Sequence, residues 1–171
     1  MGKHCGRDHR LGLEKDFERL NGWDYSVIEE ACDDSFDFNC IAWAAGDREK
    51  WWWPAAHGYW PPGCPREETL EAFLCAFGTL GYERCESDDL EAGFDRIAIF
   101  ADGQKKPTHA ARQLDALCWS SKLGTAEILC HPLRAIEGEL YGCVAILLRR
   151  PSPPGENDPV VAAGCPGGRQ A

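Results

Sequence analysis

Ten cysteines are spread through this chain, yet no two of them form a C-x-x-C pair. That absence removes the usual spacing of a zinc site. His4, Cys5 and His9 make a local cluster with no partner cluster, and a flexible N-terminus is the plainer reading. Basic charge is also scarce. Lys and Arg total 18 against 28 Asp and Glu, for a net charge of -10. Nucleic acid and anionic membranes both call for clustered cations, so neither is expected as a partner. Long apolar runs are missing too. The longest clean one, Cys143 to Leu148, has the length of a buried strand and not of a membrane span. The opening "MGKHCGRDHRLGLEKDF" has basic residues but no apolar core, so it does not read as a secretory signal. No internal repeat is visible.

What the chain does have is core material. The apolar fraction is 44%, with seven Trp, seven Phe and four Tyr in 171 residues. That suits one folded domain, with residues 1–10 as a flexible N-terminus and 11–150 as the domain. From Pro151 the composition turns Pro- and Gly-rich, so 151–171 reads as a disordered tail. Cys75, Cys118 and Cys143 lie in apolar periodic segments, where a free Cys is an ordinary buried residue. A reduced, cytoplasmic protein is therefore expected. A disulfide-bearing exported domain is the competing reading.

Periodicity places the elements. Leu13, Phe17 and Leu20 line one face of a short helix over Leu11 to Gly22. Asn39 is a good N-cap for a helix beginning at Cys40 and ended by Gly46. Residues 47–65 form a loop with four Trp and four Pro. Leu70, Phe73, Leu74 and Phe77 form the apolar stripe of the clearest helix, opened near Thr69 and closed by Gly81. The period then changes to two. Strands are expected at Phe94–Asp102, Thr108–Leu114 and Leu117–Leu123, the last two as a hairpin. A short helix is expected at "HPLRAIEG" and a buried strand at "YGCVAILLRR". Helices followed by antiparallel strands make an α+β fold.

The stretch "FNCIAWAAGD" sets the functional question. A thiol at a helix start is favoured as thiolate, and a nearby His makes it a nucleophile. The competing reading of Cys40 is a small buried residue packing helix on sheet. His109, at the start of a strand after a Pro-Thr turn, is the best partner. The competing reading of His109 is a hydrogen-bonded strand residue. A third group must orient the imidazole. The neighbouring strand offers Ser120, Ser121 and Lys122, of which only alternate residues can point toward His109. His57, in the Trp loop, and His131, before Pro132, read as structural or surface residues. Gln113 reads as an ordinary strand residue.

"NCIAWAAGD", "WWWP", "YWP", "PTHAARQL", "CWSSKLG" and "HPLRAIEGELYG" together resemble a family of uncharacterised bacterial domains. Those domains are similar in layout to papain-like and NlpC-type cysteine peptidases. The resemblance covers about Phe17 to Pro151. It implies an N-terminal helical layer on an antiparallel sheet, Cys40 as nucleophile and His109 as general base. The pattern it resembles has W-S-H-K on the closing strand, with His where this chain has Ser121.

The expectation is thus a cysteine hydrolase acting on an amide or related acyl bond, with Cys40, His109 and Ser121 as its catalytic set. Asn39, the Trp51-Trp52-Trp53 run and Lys122 are expected to meet a peptide or other amide substrate, and no metal or organic cofactor is called for. A catalytically inactive binding module using the Trp-rich loop, with a protein as partner, is the alternative. Three consecutive Trp cannot all face one way. At least one is expected at the surface, and the rest could equally fill the core.

Overall fold

The computed structural model describes residues 13, 15–20, 22–29 and 36–154. Its centre is one sheet of seven strands: β1 (Ser26–Glu29), β2 (Glu83–Cys85), β3 (Phe94–Ala101), β4 (Pro107–Gln113), β5 (Trp119–Lys122), β6 (Ile128–His131) and β7 (Cys143–Pro151). The spatial order is β1-β6-β5-β4-β3-β7-β2. Every neighbouring pair is antiparallel.

The middle strands are apolar on both sides, and side chains that alternate in sequence enter different cores. Ile97, Ile99 and Ala110 join Phe38, Ile41, Trp43, Phe73 and Phe77 on one face. Ala98, Phe100 and Ala111 join Leu13, Phe17, Leu20, Leu133 and Ile136 on the other. Two short helices cover the first face: α1 (Cys40–Ala45) and α2 (Leu70–Gly78). Small Ala110 on β4 lets α1 approach closely. The Oγ of Thr69 accepts from the Ala72 amide at 3.3 Å and opens α2. Phe73 and Phe77 are fully buried on its inner side, as the stripe predicts.

The balance of the fold differs from the sequence expectation. It is mostly β, with helix confined to short pieces. Of the helix expected at Leu11–Gly22, the described residues Leu13, Lys15 and Asp16 are α-helical, Phe17 N–H donates to Leu13 O at 2.8 Å, and a 3-10 turn at Glu18–Leu20 follows. Leu13, Phe17 and Leu20 are nonetheless buried, so the apolar face was correctly placed. The "HPLRAIEG" helix is a 3-10 turn at Leu133–Ile136. Strands β1, β2 and β6 were not anticipated. At three or four residues they are too short to show a convincing period.

The expected boundary at 150 lies slightly early. β7 runs to Pro151, Ser152 N–H donates to Gly93 O at 2.8 Å, and Ser152 Oγ donates to Asp95 Oδ1 at 2.7 Å. Residues 1–10, with the His4, Cys5 and His9 cluster, lie outside the described residues. So does the remainder of the tail from 155.

Two of the cysteines read as free are not. Cys64 is bonded to Cys75, and Cys118 to Cys130. Cys143, read as buried, is exposed. It sits at the start of β7, where Cys143 and Ala145 are exposed while Val144 between them packs on the second core. No helix among the described residues is long and apolar enough to cross a membrane.

Candidate functional site

Cys40 opens α1. Asn39 Oδ1 accepts from the Ala42 amide at 3.0 Å, and Asn39 Nδ2 donates to Trp52 O at 2.7 Å. One side chain thus caps the helix and ties it to the Trp loop. The sequence offered Asn39 as a substrate contact; its amide is engaged at both ends in structure instead. Asn39→Ala should cost about 1–2 kcal/mol in urea unfolding, with Asn39→Asp recovering the cap oxygen and part of the loss. Equal losses in both variants would show that the bond to Trp52 outweighs the cap.

The thiol does not match the helix-start expectation. α1 has only six residues, and Cys40 is buried. Burial pushes its pKa up to about 11, although the backbone N–H groups of Ala110, Ile41 and Cys40 and the charge of Lys122 all pull the other way. Desolvation wins, and the resting group is a neutral thiol.

His109 lies on β4 opposite Phe100. Tyr141 stacks on its ring at 4.0 Å between centroids and 13° between planes, and Phe100 meets it edge-on at 5.4 Å. Burial, and to a lesser degree neighbouring His131, hold His109 well below the usual histidine range. The ring is therefore neutral.

Ser121 and His109 are brought together. Ser121 Oγ lies 2.8 Å from His109 Nε2. Alternation chose the correct serine. Ser120 faces the helical layer, where its Oγ accepts from Trp43 Nε1 at 3.0 Å and donates to Arg112 O at 3.1 Å.

The structure adds a residue that sequence reasoning set aside. His131 Nε2 lies 2.8 Å from the same Ser121 Oγ, and His131 Nδ1 lies 2.8 Å from Pro132 O. Desolvation lowers the His131 pKa to about 4, with the Pro132 carbonyl opposing it. The signal was present. His131 ends the apolar run Ile128-Leu129-Cys130, two residues beyond buried Leu129, so on a strand it shares that residue's face.

Cys40 and His109 are not joined by a hydrogen bond. The thiol belongs to the core on the helical side, while the imidazole belongs to the opposite face with Phe100 and Tyr141. They approach the same break in the sheet. β4 and β5 pair only at Arg112–Ser120 and Gln113–Trp119. In the part of β4 that pairs with β3 but not with β5, the Ala110 amide, next to His109, faces the Cys40 sulfur. Burial raises the pKa of Tyr141, which stacks on His109, and a Cys40 thiolate would raise it further. The Nδ1 of His109 is buried with no hydrogen-bond partner among the described residues.

The remaining expected contacts separate. Lys122 is buried, and its Nζ donates to Gly124 O at 2.7 Å and Ala126 O at 2.6 Å. It closes the β5–β6 turn and does not line an open surface. Trp52 is buried with its Nε1 on Asp47 Oδ2 at 2.8 Å. Trp53 meets Phe73 edge-on at 5.6 Å, and its Nε1 donates to Glu68 at 3.2 Å. Only Trp51 of the three is exposed, at 38%. Trp52 and Trp60 fill the core from this loop, the Cys64–Cys75 disulfide ties it to α2, and most of its other residues are exposed or half-buried.

No group of His, Cys, Asp and Glu among the described residues is placed to hold a metal ion. A surface depression of about 320 Å³ lies between Phe17, Arg19 and residues 137–140, on the outer side of the Tyr141 loop. Neither Cys40 nor His109 lines it.

No curated protein and no solved structure matches this chain. Residues 29–149 do match a family described as a domain of unknown function (DUF7689), and the chain belongs to that family.

Proposed function

We propose that this domain is a cysteine hydrolase of papain-like or NlpC-like layout, acting on an amide or related acyl bond. Cys40 is the nucleophile and His109 the general base. The observation that carries this reading is the buried, unpartnered Nδ1 of His109, one residue from the amide that faces the Cys40 sulfur. An orphaned buried nitrogen is costly to keep, and a group awaiting a proton is a physical reason to keep it. The chain order of thiol on a helix, His on a strand and a polar orienter on the next strand supports the same layout.

A resting thiol with a pKa of about 11 cannot act as a preformed thiolate. Deprotonation must accompany attack, with the S–H proton passing to His109 Nδ1 as the sulfur bonds the acyl carbon. The proton then goes to the leaving amine as the C–N bond breaks. Water releases the acyl group by the reverse proton path. For this, thiol and imidazole must meet across the part of β4 that does not pair with β5. The two disulfides favour an oxidising compartment over the cytoplasmic placement read from the sequence.

Complete burial of His109, Ser121 and His131 supports a second reading, a binding module in which the polar chain is structural. An acyl-directed electrophilic probe separates the two. Cys40, Cys85 and Cys143 are the free thiols among the described residues. The hydrolase reading expects selective labelling of Cys40 in the folded protein, reduced about 100-fold or more in His109→Gln. Labelling of exposed Cys143 with Cys40 silent would give the binding module precedence.

A further inference from the structure

His131 is a buried titratable group that the proposed chemistry does not use. It touches neither Cys40 nor the reacting atoms, yet both of its nitrogens are engaged. We propose that His131 is a positioning residue that, through Ser121, fixes His109 in the tautomer with a bare Nδ1. This inference rests on the hydrolase reading for its purpose but not for its geometry.

Donors and acceptors along the chain fix the direction of each hydrogen bond. The Pro132 carbonyl can only accept, so the 2.8 Å contact requires the hydrogen on His131 Nδ1. A neutral His131 then has a bare Nε2. Its partner at 2.8 Å is Ser121 Oγ, which must therefore donate its only hydrogen there. With that hydrogen spent, Ser121 Oγ can only accept from His109 Nε2 at 2.8 Å. His109 accordingly carries its hydrogen on Nε2, and Nδ1 is left with a free electron pair. That is the nitrogen found buried and without a partner.

Ser121 alone could not make this choice. A hydroxyl donates or accepts equally well, and would tolerate either tautomer of His109. The direction of the whole chain is set at its far end, by a carbonyl one residue beyond β6. The sheet holds the chain in register. Ser121 pairs with Leu129 and Trp119 with His131, so Ser121 and His131 project from adjacent strands on one face. During attack the Cys40 proton bonds to His109 Nδ1, and the S–H electron pair goes to the acyl carbon. His109 becomes an imidazolium whose Nε2–H stays on Ser121. No proton has to leave along the chain, and the later donation to the leaving group restores the starting tautomer.

The test is 15N NMR of the histidine rings in the full chain at pH 7. In wild type, His131 should show a protonated Nδ1 and a bare Nε2, and His109 the reverse. This reading requires no variant, and the opposite tautomer at either ring overturns the proposal. In His131→Leu, Ser121 loses its acceptor and can turn its hydrogen toward His109 Nε2. At least half of the His109 population should then carry its hydrogen on Nδ1. His131→Gln offers an oxygen to Ser121 and should restore the wild-type pattern. An unchanged His109 tautomer in folded His131→Leu overturns the proposal.

Labelling of Cys40 by the same electrophilic probe is a separate readout. It should fall at least about twofold in His131→Leu, in proportion to the share of His109 in the wrong tautomer, and recover in His131→Gln, because a His in the wrong tautomer cannot accept the proton. If Cys40 is inert in every variant while the tautomers switch as stated, the hydrolase reading fails and the tautomer lock stands.

Discussion

Stability should fall steeply between pH 6.5 and pH 4, before most carboxylates are protonated. The cause is the pair of buried imidazoles. His131 has its pKa lowered from 6.5 to about 4 by burial, and His109 is lowered well below 6.5 for the same reason. In the unfolded chain both would titrate near the ordinary value. Above pH 6.5 both states hold neutral rings, and the two groups add no pH dependence. Below it the unfolded chain binds protons that the native protein refuses, so the native state loses ground as pH falls. One pH unit of such a difference is worth about 1.4 kcal/mol. His131 alone should then cost about 2 kcal/mol by pH 5 and about 3 kcal/mol by pH 4. His109 adds to this with the same sign. The surroundings offer little relief. Ser121 and Tyr141 are neutral, Phe100 is apolar, and the Pro132 carbonyl already has its hydrogen. Urea unfolding at intervals from pH 7.5 to 4.5 measures the slope. His131→Gln should flatten it by that residue's share. A native protein equally stable at pH 7 and pH 5 would mean that the rings take protons where they stand.

Much of this arrangement could be read from the chain, and what could not has a physical reason. The two cores follow from alternation in "FDRIAIFAD" and "PTHAARQL", where buried neighbours must point to opposite faces. The same rule separated Ser121 from Ser120 correctly, because a one-residue slip would turn either side chain through the sheet. Asn39 as a cap was legible because Ser, Thr, Asp and Asn are the residues that satisfy a helix's first amides. The run Ile128-Leu129-Cys130 signalled a face for His131, but its role was not legible. Its role depends on β6, a four-residue strand whose turn from β5 is closed by buried Lys122, a charged residue that looks like surface. The state of Cys40 was misjudged for a different reason. Position at a helix start is visible in sequence, but the depth of burial is a tertiary property, and it outweighs a six-residue helix. Spacing alone likewise did not pair Cys64 with Cys75 or Cys118 with Cys130. The first joins the Trp loop to α2 and the second joins the residue before β5 to β6, and both need the fold to bring their ends together.

Gly142→Ala should be the most damaging small substitution near the site. Gly142 has φ +70, where a side chain is already strained. A Cβ there would also lie 1.9 Å from the Ala101 carbonyl oxygen and 2.5 Å from its carbon. Those are backbone atoms of β3, fixed by pairing to both β4 and β7, so nothing flexible can yield. The short loop has no slack either. Gly138 and Gly142 exchange backbone hydrogen bonds at 2.7 and 2.9 Å, and Thr108 Oγ1 donates to Tyr141 O at 2.6 Å. The predicted loss is more than about 3 kcal/mol, or roughly 6–12 °C in melting temperature for a domain of this size. Gly93→Ala separates the two contributions. It has φ +80 but nothing within 4 Å of a Cβ. Only the backbone penalty applies there, about 1–2 kcal/mol. The larger loss at Gly142 should carry a local signature, because pushing the loop off β3 lifts Tyr141 from the His109 ring it covers at 4.0 Å. The His109 ring protons should then lose the upfield shift that a stacked aromatic imposes, in a variant that remains folded at low temperature. Equal losses at Gly142 and Gly93, with the His109 resonances unmoved, would mean that the loop does not rest on β3 as closely as its backbone contacts require.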